Sequence, residues 1–177
     1  QVEIAVCEAQ AELGYTPAAA VAEIKAKANF DPQRILEIEA EVRHDVIAFL
    51  TNVNEYVGDA GRYIHLGMTS SDVLDTALAL QLVASLDLIL ARLADLIAAI
   101  RKQAQQHRHT VAIGRSHGIH AEPITFGFKL AGWLAEVLRH QERLTYMRGE
   151  IAVGKISGAV GTYANIEPRV EAIACAK

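Results

Sequence analysis

One stretch of the chain, residues 69–107, contains neither glycine nor proline, so nothing in it would break a helix. Thr69 and Asp72 stand at its start and resemble a capping box. In that motif the threonine hydroxyl accepts a backbone N–H, and the acidic side chain reaches back to the start of the helix. At ~1.5 Å per residue, the predicted helix would be on the order of 55 Å long.

Apolar residues occupy two faces of this predicted helix. The first face has the alternating four and three spacing of a coiled-coil seam. It is formed by Leu82, Leu86, Ile89, Leu93, Leu96 and Ile100. The second face is formed by Leu80, Val83, Leu90 and Ile97. A single partner helix would not cover both faces, so we expect a multi-helix bundle. The remaining helices would come from other subunits or from the rest of the polypeptide.

A membrane span is the alternative for the most apolar part of this helix, residues 77–98. Asp87, Arg92 and Asp95 fall inside it, and each would be costly near the centre of a bilayer. A buried helix of a soluble protein is therefore the preferred interpretation.

Glycine and proline predict the other elements. Thr16 followed by Pro17 has the pattern of an N-cap with proline at the first helical position, and Asp31-Pro32 repeats it. We predict helices over residues 2–13, 17–28, 32–57 (interrupted around residues 39–45) and 123–149. Residues 107–122 and 154–161 are predicted to be loops, and no strand of useful length is expected.

The predicted fold class is therefore all-α. Residues 1–68 would form a small N-terminal helical domain, and residues 69–177 would form an incomplete long-helix bundle domain.

Composition excludes several classes of protein. The net charge is −4 and the basic residues are scattered, which argues against a nucleic-acid partner. Cys7 and Cys175 are the only cysteines and lack metal-ligand spacing, so a disulfide framework is improbable and a reducing, intracellular compartment is favoured.

Three short segments concentrate polar residues: Arg43–Asp45, His65–Asp72 and Gly114–Pro123. All three lie at predicted loops or helix ends, which can gather at one level of a helical bundle. Histidine titrates near neutral pH and can donate or accept a proton there. His107, His109 and His140 lie in solvated surroundings and are set aside as surface residues.

Each motif also has a simpler interpretation. Thr69, Ser70 and Ser71 could seat a carboxylate or phosphate at a helix start, or they could be an ordinary cap. The spacing of His117 and His120 could support zinc, but no second ligand pair follows, so zinc is the weaker interpretation.

Taken together, the three segments resemble one enzyme family. They read Arg-His-Asp-Val-Ile-Ala-Phe, His-Leu-Gly-Met-Thr-Ser-Ser-Asp-Val-Leu-Asp-Thr, and Gly-Arg-Ser-His-Gly-Ile-His-Ala-Glu-Pro. Their order and separations are similar to those of the adenylosuccinate lyase branch of the fumarase/aspartase superfamily, and the likeness spans essentially the whole chain.

The resemblance implies an anti elimination that breaks a C–N bond and releases fumarate in purine synthesis. Its substrates would be adenylosuccinate, which leaves AMP, and the succinylated aminoimidazole carboxamide ribotide. It implies no metal or organic cofactor, a cytoplasmic location, and a homotetramer with shared active sites.

The resemblance also implies roles for particular residues. His117 matches the proton donor, and Arg43, His44 and Asp45 match a substrate-binding segment. Thr69 and Ser70 match residues that hold the carboxylate end of the substrate. His65 matches a histidine near the phosphate.

Two parts of the family pattern are absent. The base is a serine on a glycine- and serine-rich loop far downstream, and Ser157 in Lys155-Ile-Ser-Gly does not resemble it. An Arg-Tyr pair near the start is also missing. We therefore expect the chain alone to be inactive. The alternatives are a sister fumarate-releasing lyase and a non-catalytic helical oligomerisation module.

Overall fold

The computed structural model describes the whole chain, Gln1–Lys177. It contains seven α-helices, one 3₁₀ helix and one pair of strands. In chain order these are α1 (Val2–Glu12), α2 (Ala18–Lys27), α3 (Pro32–Val42), α4 (Asp45–Val57), the 3₁₀ helix (Gly58–Tyr63), α5 (Ser70–Gln106), β1 (Val111–Ser116), β2 (Ile119–Thr125), α6 (Phe126–Ile151) and α7 (Pro168–Cys175). The predicted all-α class is confirmed. None of these helices combines the length and hydropathy that crossing a bilayer requires.

Capping side chains explain where two of the helices begin. The Asp31 carboxylate accepts the backbone N–H of Gln33 at 2.9 Å, with Pro32 at the first helical position of α3. The predicted cap at Thr16 is wrong, because α2 begins at Ala18 with Pro17 as its N-cap. The Thr16 hydroxyl instead donates to the side-chain oxygen of Gln10 at 3.3 Å. The group that was expected to cap the helix therefore bonds elsewhere.

Contacts between residues divide the chain into two compact units. The first contains residues 1–79 and 153–177, and the second contains residues 80–152. In the first unit, α1 packs between two apolar clusters. One cluster joins α1 to the C-terminal segment and consists of Val2, Val6, Ala9, Ile156, Ile166, Val170 and Ala174. The other joins α1 to α2, α4 and the 3₁₀ helix and consists of Cys7, Val21, Ile24, Val53, Val57 and Ala60. The division into domains 1–68 and 69–177 stays a prediction.

The second unit consists of most of α5, the strand pair and α6. The prediction of one unbroken helix after Thr69 is confirmed, since α5 runs for 37 residues. Arg148 on α6 forms an ion pair with Asp87 on α5, with Nη2 2.9 Å from Oδ2. Many apolar side chains of α5 have no cover, and Leu88 is 72% exposed.

The prediction of a loop over residues 107–122, followed by a helix from Pro123, is wrong. Strands β1 and β2 form an antiparallel hairpin in which Val111 pairs with Thr125 and Ile113 with Pro123. Proline has no N–H to donate, but a two-stranded ribbon has free edges where this is tolerated. Helix α6 begins only after Thr125, whose hydroxyl accepts the N–H of Phe128 at 3.1 Å.

The C-terminal segment contains the remaining differences. Residues 152–167 are irregular, which confirms the loop predicted over 154–161. Helix α7 then begins at Pro168, in a part of the chain for which the sequence led to no assignment.

Candidate functional site

His117 lies at the tip of the β1–β2 hairpin. It and Gly118 are the two residues between the strands, with φ values of 50° and 75°. Two consecutive positive φ values are the mark of a type I′ turn, whose twist matches that of an antiparallel hairpin. The His117 side chain is exposed and makes no hydrogen bond within the chain. The turn therefore presents the imidazole outward with both ring nitrogens free.

Gly114 shapes the same hairpin. The pairing shifts register between Ile113 and Arg115, which places Gly114 at an irregularity in the ladder. A Cβ at this position would lie 2.7 Å from the carbonyl oxygen of Glu122. Gly114 therefore allows the two backbones to approach closely, whereas Gly118 allows a tight turn.

The segment Arg43–Asp45 forms the junction between α3 and α4. Arg43 ends α3 with a left-handed backbone, φ 56° and ψ 33°. His44 caps α4, because its ring Nδ1 accepts the N–H of Ile47 at 3.3 Å. The His44 and Asp45 side chains are 42% and 63% exposed, so this polar junction is open to solvent.

The start of α5 carries the next group of predicted residues. The aspartate half of the expected capping box is present, since Asp72 Oδ2 accepts the N–H of Thr69 at 3.0 Å. The threonine half does not form. The hydroxyls of Thr69, Ser70 and Ser71 make no hydrogen bond within the chain, so they are not used as caps. Three free hydroxyls at the positive end of a long helix favour the anion-seat interpretation.

Asp72 connects this helix start to the C-terminal segment. Its side chain is fully buried, and Oδ1 accepts from Lys155 Nζ at 2.7 Å and from the Ser157 N–H at 3.2 Å. Oδ2 also accepts the Gly158 N–H at 3.1 Å. Burial acts to raise the pKa of Asp72, but these hydrogen bonds, led by that from Lys155, outweigh it and the pKa is lowered. The carboxylate therefore stays charged and fastens residues 155–158 onto α5.

His65 lies in the turn before α5 and contacts α1. Its φ is 65°, and both its backbone N–H and its ring Nδ1 contact the carboxylate of Glu3. The side-chain amide of Gln10 donates to the Leu66 carbonyl at 2.8 Å. Sequence reasoning missed Glu3 and Gln10, because a polar residue inside a short helix gives no sign that it is buried.

Cys7 lies on the same face of α1. Burial, reinforced by Glu3 and Glu8, raises the pKa of its thiol to about 12, so the thiol stays neutral near pH 7. No group of three or more histidine, cysteine, aspartate or glutamate side chains is arranged to hold a metal ion.

The predicted site residues fall into separate structural groups. Arg43, His44, Asp45, His65, Thr69 and Ser70 belong to the first unit, and His117 belongs to the second. No hydrogen bond or ion pair joins the Arg43–Asp45 junction to the segment His65–Ser70. That these groups share one pocket stays a prediction.

Comparison with known proteins identifies relatives along the entire chain. A family model described as Lyase matches residues 1–177. The chain is 85% identical to an adenylosuccinate lyase of Synechocystis sp. over 99% of its length, which is 41% of that relative. It is 50% identical to the Bacillus subtilis adenylosuccinate lyase over 100% of its length, again 41% of the relative.

A solved structure confirms the fold. The fumarate lyase of Mesorhizobium sp. BNC1 superposes with a TM-score of 0.90 at 34% identity, over 99% of this chain and 43% of that one. The resemblance inferred from the three motifs is thereby confirmed. The chain spans 41% of the length of the curated relatives it matches.

Proposed function

The chain belongs to the lyase family whose model matches its full length, and we propose that it is the amino-terminal part of an adenylosuccinate lyase. The 85% identity to the Synechocystis enzyme is the observation that carries the proposal. The reaction would break the C–N bond of adenylosuccinate to give AMP and fumarate. It would also release fumarate from the succinylated aminoimidazole carboxamide ribotide in the same biosynthesis of purines.

His117 is the proposed general acid. As the C–N bond breaks, the departing nitrogen takes up the electron pair and needs a proton, which the ring of His117 would donate. Two observations support this role. The imidazole is free of hydrogen bonds within the chain, and the turn that carries it at the tip of the hairpin aims it outward.

The start of α5 is the proposed seat for the carboxylate end of the substrate. The free hydroxyls of Thr69 and Ser70 can donate to carboxylate oxygens, and the positive end of the helix dipole favours negative charge. The bond from Thr69 N–H to Asp72 fixes the backbone on which these hydroxyls stand. Proton abstraction beside this carboxylate leaves a carbanion-like intermediate whose charge such donors stabilise.

The exposed junction Arg43–Asp45 is the proposed second binding segment. It brings a cation, an imidazole and a carboxylate to adjacent positions, where they can contact the polar groups of a nucleotide. His65 would contact the phosphate of the same substrate.

The base and the remaining helices would come from outside these residues. We place the base on a segment of the longer polypeptide, because Ser157 is 5% exposed and its backbone is fastened to Asp72. The exposed apolar side chains of α5 support a homotetramer in which several copies of this helix form a bundle and share active sites. The proposed location is the cytoplasm.

Fumarate release by the natural full-length polypeptide tests the proposal, with adenylosuccinate and argininosuccinate supplied side by side. We expect turnover of adenylosuccinate and none of argininosuccinate. The isolated 177-residue chain, assayed at equal concentration, is expected to be inactive because it lacks the base. Turnover of argininosuccinate alone, or of neither compound, would overturn the assignment.

A sister lyase that releases fumarate from another substrate is the second candidate. The observation in its favour is the TM-score of 0.90 with a protein named only as a fumarate lyase. A shared fold does not settle the substrate, and the identity there is 34% against 85% to the Synechocystis enzyme. Comparing the two substrates separates these candidates. A full-length protein that forms a tetramer but turns over no substrate would instead indicate a non-catalytic oligomerisation module.

A further inference from the structure

One buried residue, Glu3 on α1, makes two polar contacts with His65. Its Oε2 accepts the His65 backbone N–H at 2.9 Å, and its Oε1 lies 2.7 Å from the ring Nδ1. Glu3 is only 8% exposed, and the His65 side chain is 20% exposed. No other hydrogen bond reaches the His65 ring, so Nε2 is the nitrogen left free.

The same face of α1 anchors the chain on both sides of His65. Cys7 Sγ lies 3.5 Å from the Tyr63 carbonyl oxygen, and the Gln10 amide donates to the Leu66 carbonyl oxygen at 2.8 Å. Positions 3, 7 and 10 follow the spacing of one helical face. The turn that carries His65 is therefore held by a well-packed helix, and the left-handed backbone of His65 is maintained by these contacts.

The chemistry of Glu3 determines where the proton on the ring lies. An ionised carboxylate can only accept hydrogen bonds, and Glu3 already uses one oxygen for the backbone N–H. The ring Nδ1 at 2.7 Å from the other oxygen must therefore carry a hydrogen. We infer that Glu3 is a positioning residue: its carboxylate keeps a proton on Nδ1 of His65 and leaves Nε2 to face the phosphate of the substrate, to which Nε2 donates when the ring carries both protons. The identity of that ligand rests on the proposed function, whereas the proton on Nδ1 rests on the contacts of His65 with the Glu3 carboxylate.

Glu3→Gln in the full-length polypeptide is the main test, because it keeps the shape of the side chain and changes only its hydrogen bonding. The amide oxygen of glutamine would still accept the backbone N–H, which turns its NH₂ group towards the ring. Nδ1 must then accept, so the neutral ring moves its proton to Nε2. The ¹⁵N spectrum of ring-labelled histidine reports this directly, with the His65 signals identified by their loss in His65→Gln.

We expect a proton on Nδ1 in the wild type, a proton on Nε2 in Glu3→Gln, and the wild-type spectrum in Glu12→Gln. Glu12 is the matched control, since it lies on α1 but is exposed and bonds only Lys177. Glu3→Asp keeps an acceptor at this position, and its His65 proton should remain on Nδ1 even if contacts lengthen. An unprotonated Nδ1 in the wild type, or an unchanged ring in Glu3→Gln, would overturn the inference.

Kinetics test the second half of the inference. Glu3→Gln should raise KM for adenylosuccinate roughly tenfold and leave kcat within about twofold, because a ring whose Nδ1 accepts from the glutamine amide donates from Nε2 only as a neutral group, and its hydrogen bond to the phosphate loses the positive charge. Glu3→Asp should recover part of this loss, and Glu12→Gln should show none. A shifted ring proton with unchanged KM would contradict the phosphate contact. If the full-length protein turns over no adenylosuccinate at all, the proposed function fails, while the ¹⁵N spectrum still decides the proton position.

Discussion

At the scale of single residues, left-handed backbone conformations are concentrated at the predicted site residues. Four residues other than glycine have positive φ, and three of them, Arg43, His65 and His117, are predicted site residues. A left-handed conformation costs roughly 1 kcal/mol or more for a residue with a Cβ, so surrounding contacts must maintain it. Their chemistry could be inferred from the motifs, but the strain at Arg43 and His65 could not, because no turn signal in the sequence marks it.

Arg43 offers a test that separates strain from function. Arg43→Gly and Arg43→Ala both remove the guanidinium, so both should weaken substrate binding and raise KM. Only glycine relaxes the φ of 56° at the end of α3, so Arg43→Gly should unfold at a higher temperature than Arg43→Ala. The expected difference in the free energy of unfolding is about 1 kcal/mol. Equal thermal stability of the two variants would contradict the account of this position.

Asp72 predicts how local stability depends on pH. Its folded-state pKa is lowered, so it stabilises the fold above its unfolded pKa of about 4, and this contribution is lost as the pH falls through the lower, folded value. Asp72→Asn should remove about 2 kcal/mol from the attachment of residues 155–158 at neutral pH. Amide exchange at Ser157 and Gly158 should then be roughly 30-fold faster.

The difference between the wild type and Asp72→Asn should shrink below about pH 4, because the carboxylate of the unfolded chain protonates first and that of the folded protein follows at lower pH. Asp75→Asn is the control, because Asp75 is exposed and bonds nothing in the chain. If the difference between the wild type and Asp72→Asn stayed constant as the pH fell below about 4, the charge of Asp72 would not be what holds residues 155–158 on α5.

At the scale of elements, long regular patterns were predictable and the short hairpin was not. Helix α5 follows from a run without glycine or proline, which leaves the backbone no local alternative. The sequence predicts a loop at the hairpin because the strands are short and polar residues surround His117. Its signal was the pair His117-Gly118, since both central residues of a type I′ turn need positive φ. Helix α7 was missed although Pro168 carries the same start signal as Pro32.

Gly118 tests whether the turn aims His117. Gly118→Ala puts a Cβ on a residue with φ 75°, which should strain the turn by roughly 1 kcal/mol and lower kcat by misplacing the imidazole. Gly132→Ala is the matched control. Gly132 lies inside α6 with open space around its α-carbon, so that change should stabilise the helix by about 0.5–1 kcal/mol and leave turnover unchanged. Full activity in Gly118→Ala would show that the turn conformation is not needed.

At the scale of the whole molecule, the chain accounts for part of the proposed active site. It supplies the proposed proton donor, a helix start with free hydroxyls and a polar junction, and it leaves apolar side chains of α5 uncovered. The family could be inferred from three motifs, because their order and separations resemble those of the family. The packing of buried polar residues such as Glu3 and Gln10 could not be predicted from the sequence, since it depends on tertiary contacts.

The most direct test of the central claim is the rate of fumarate release from adenylosuccinate by the full-length protein carrying His117→Ala, with its oligomeric state measured alongside. We predict that turnover is abolished and that the oligomer is unchanged, because the exposed imidazole supports no packing. His140→Ala, at an exposed position of α6, should keep wild-type turnover. Near-normal turnover in His117→Ala would contradict the assignment of this residue as the acid and, with it, the account of the site.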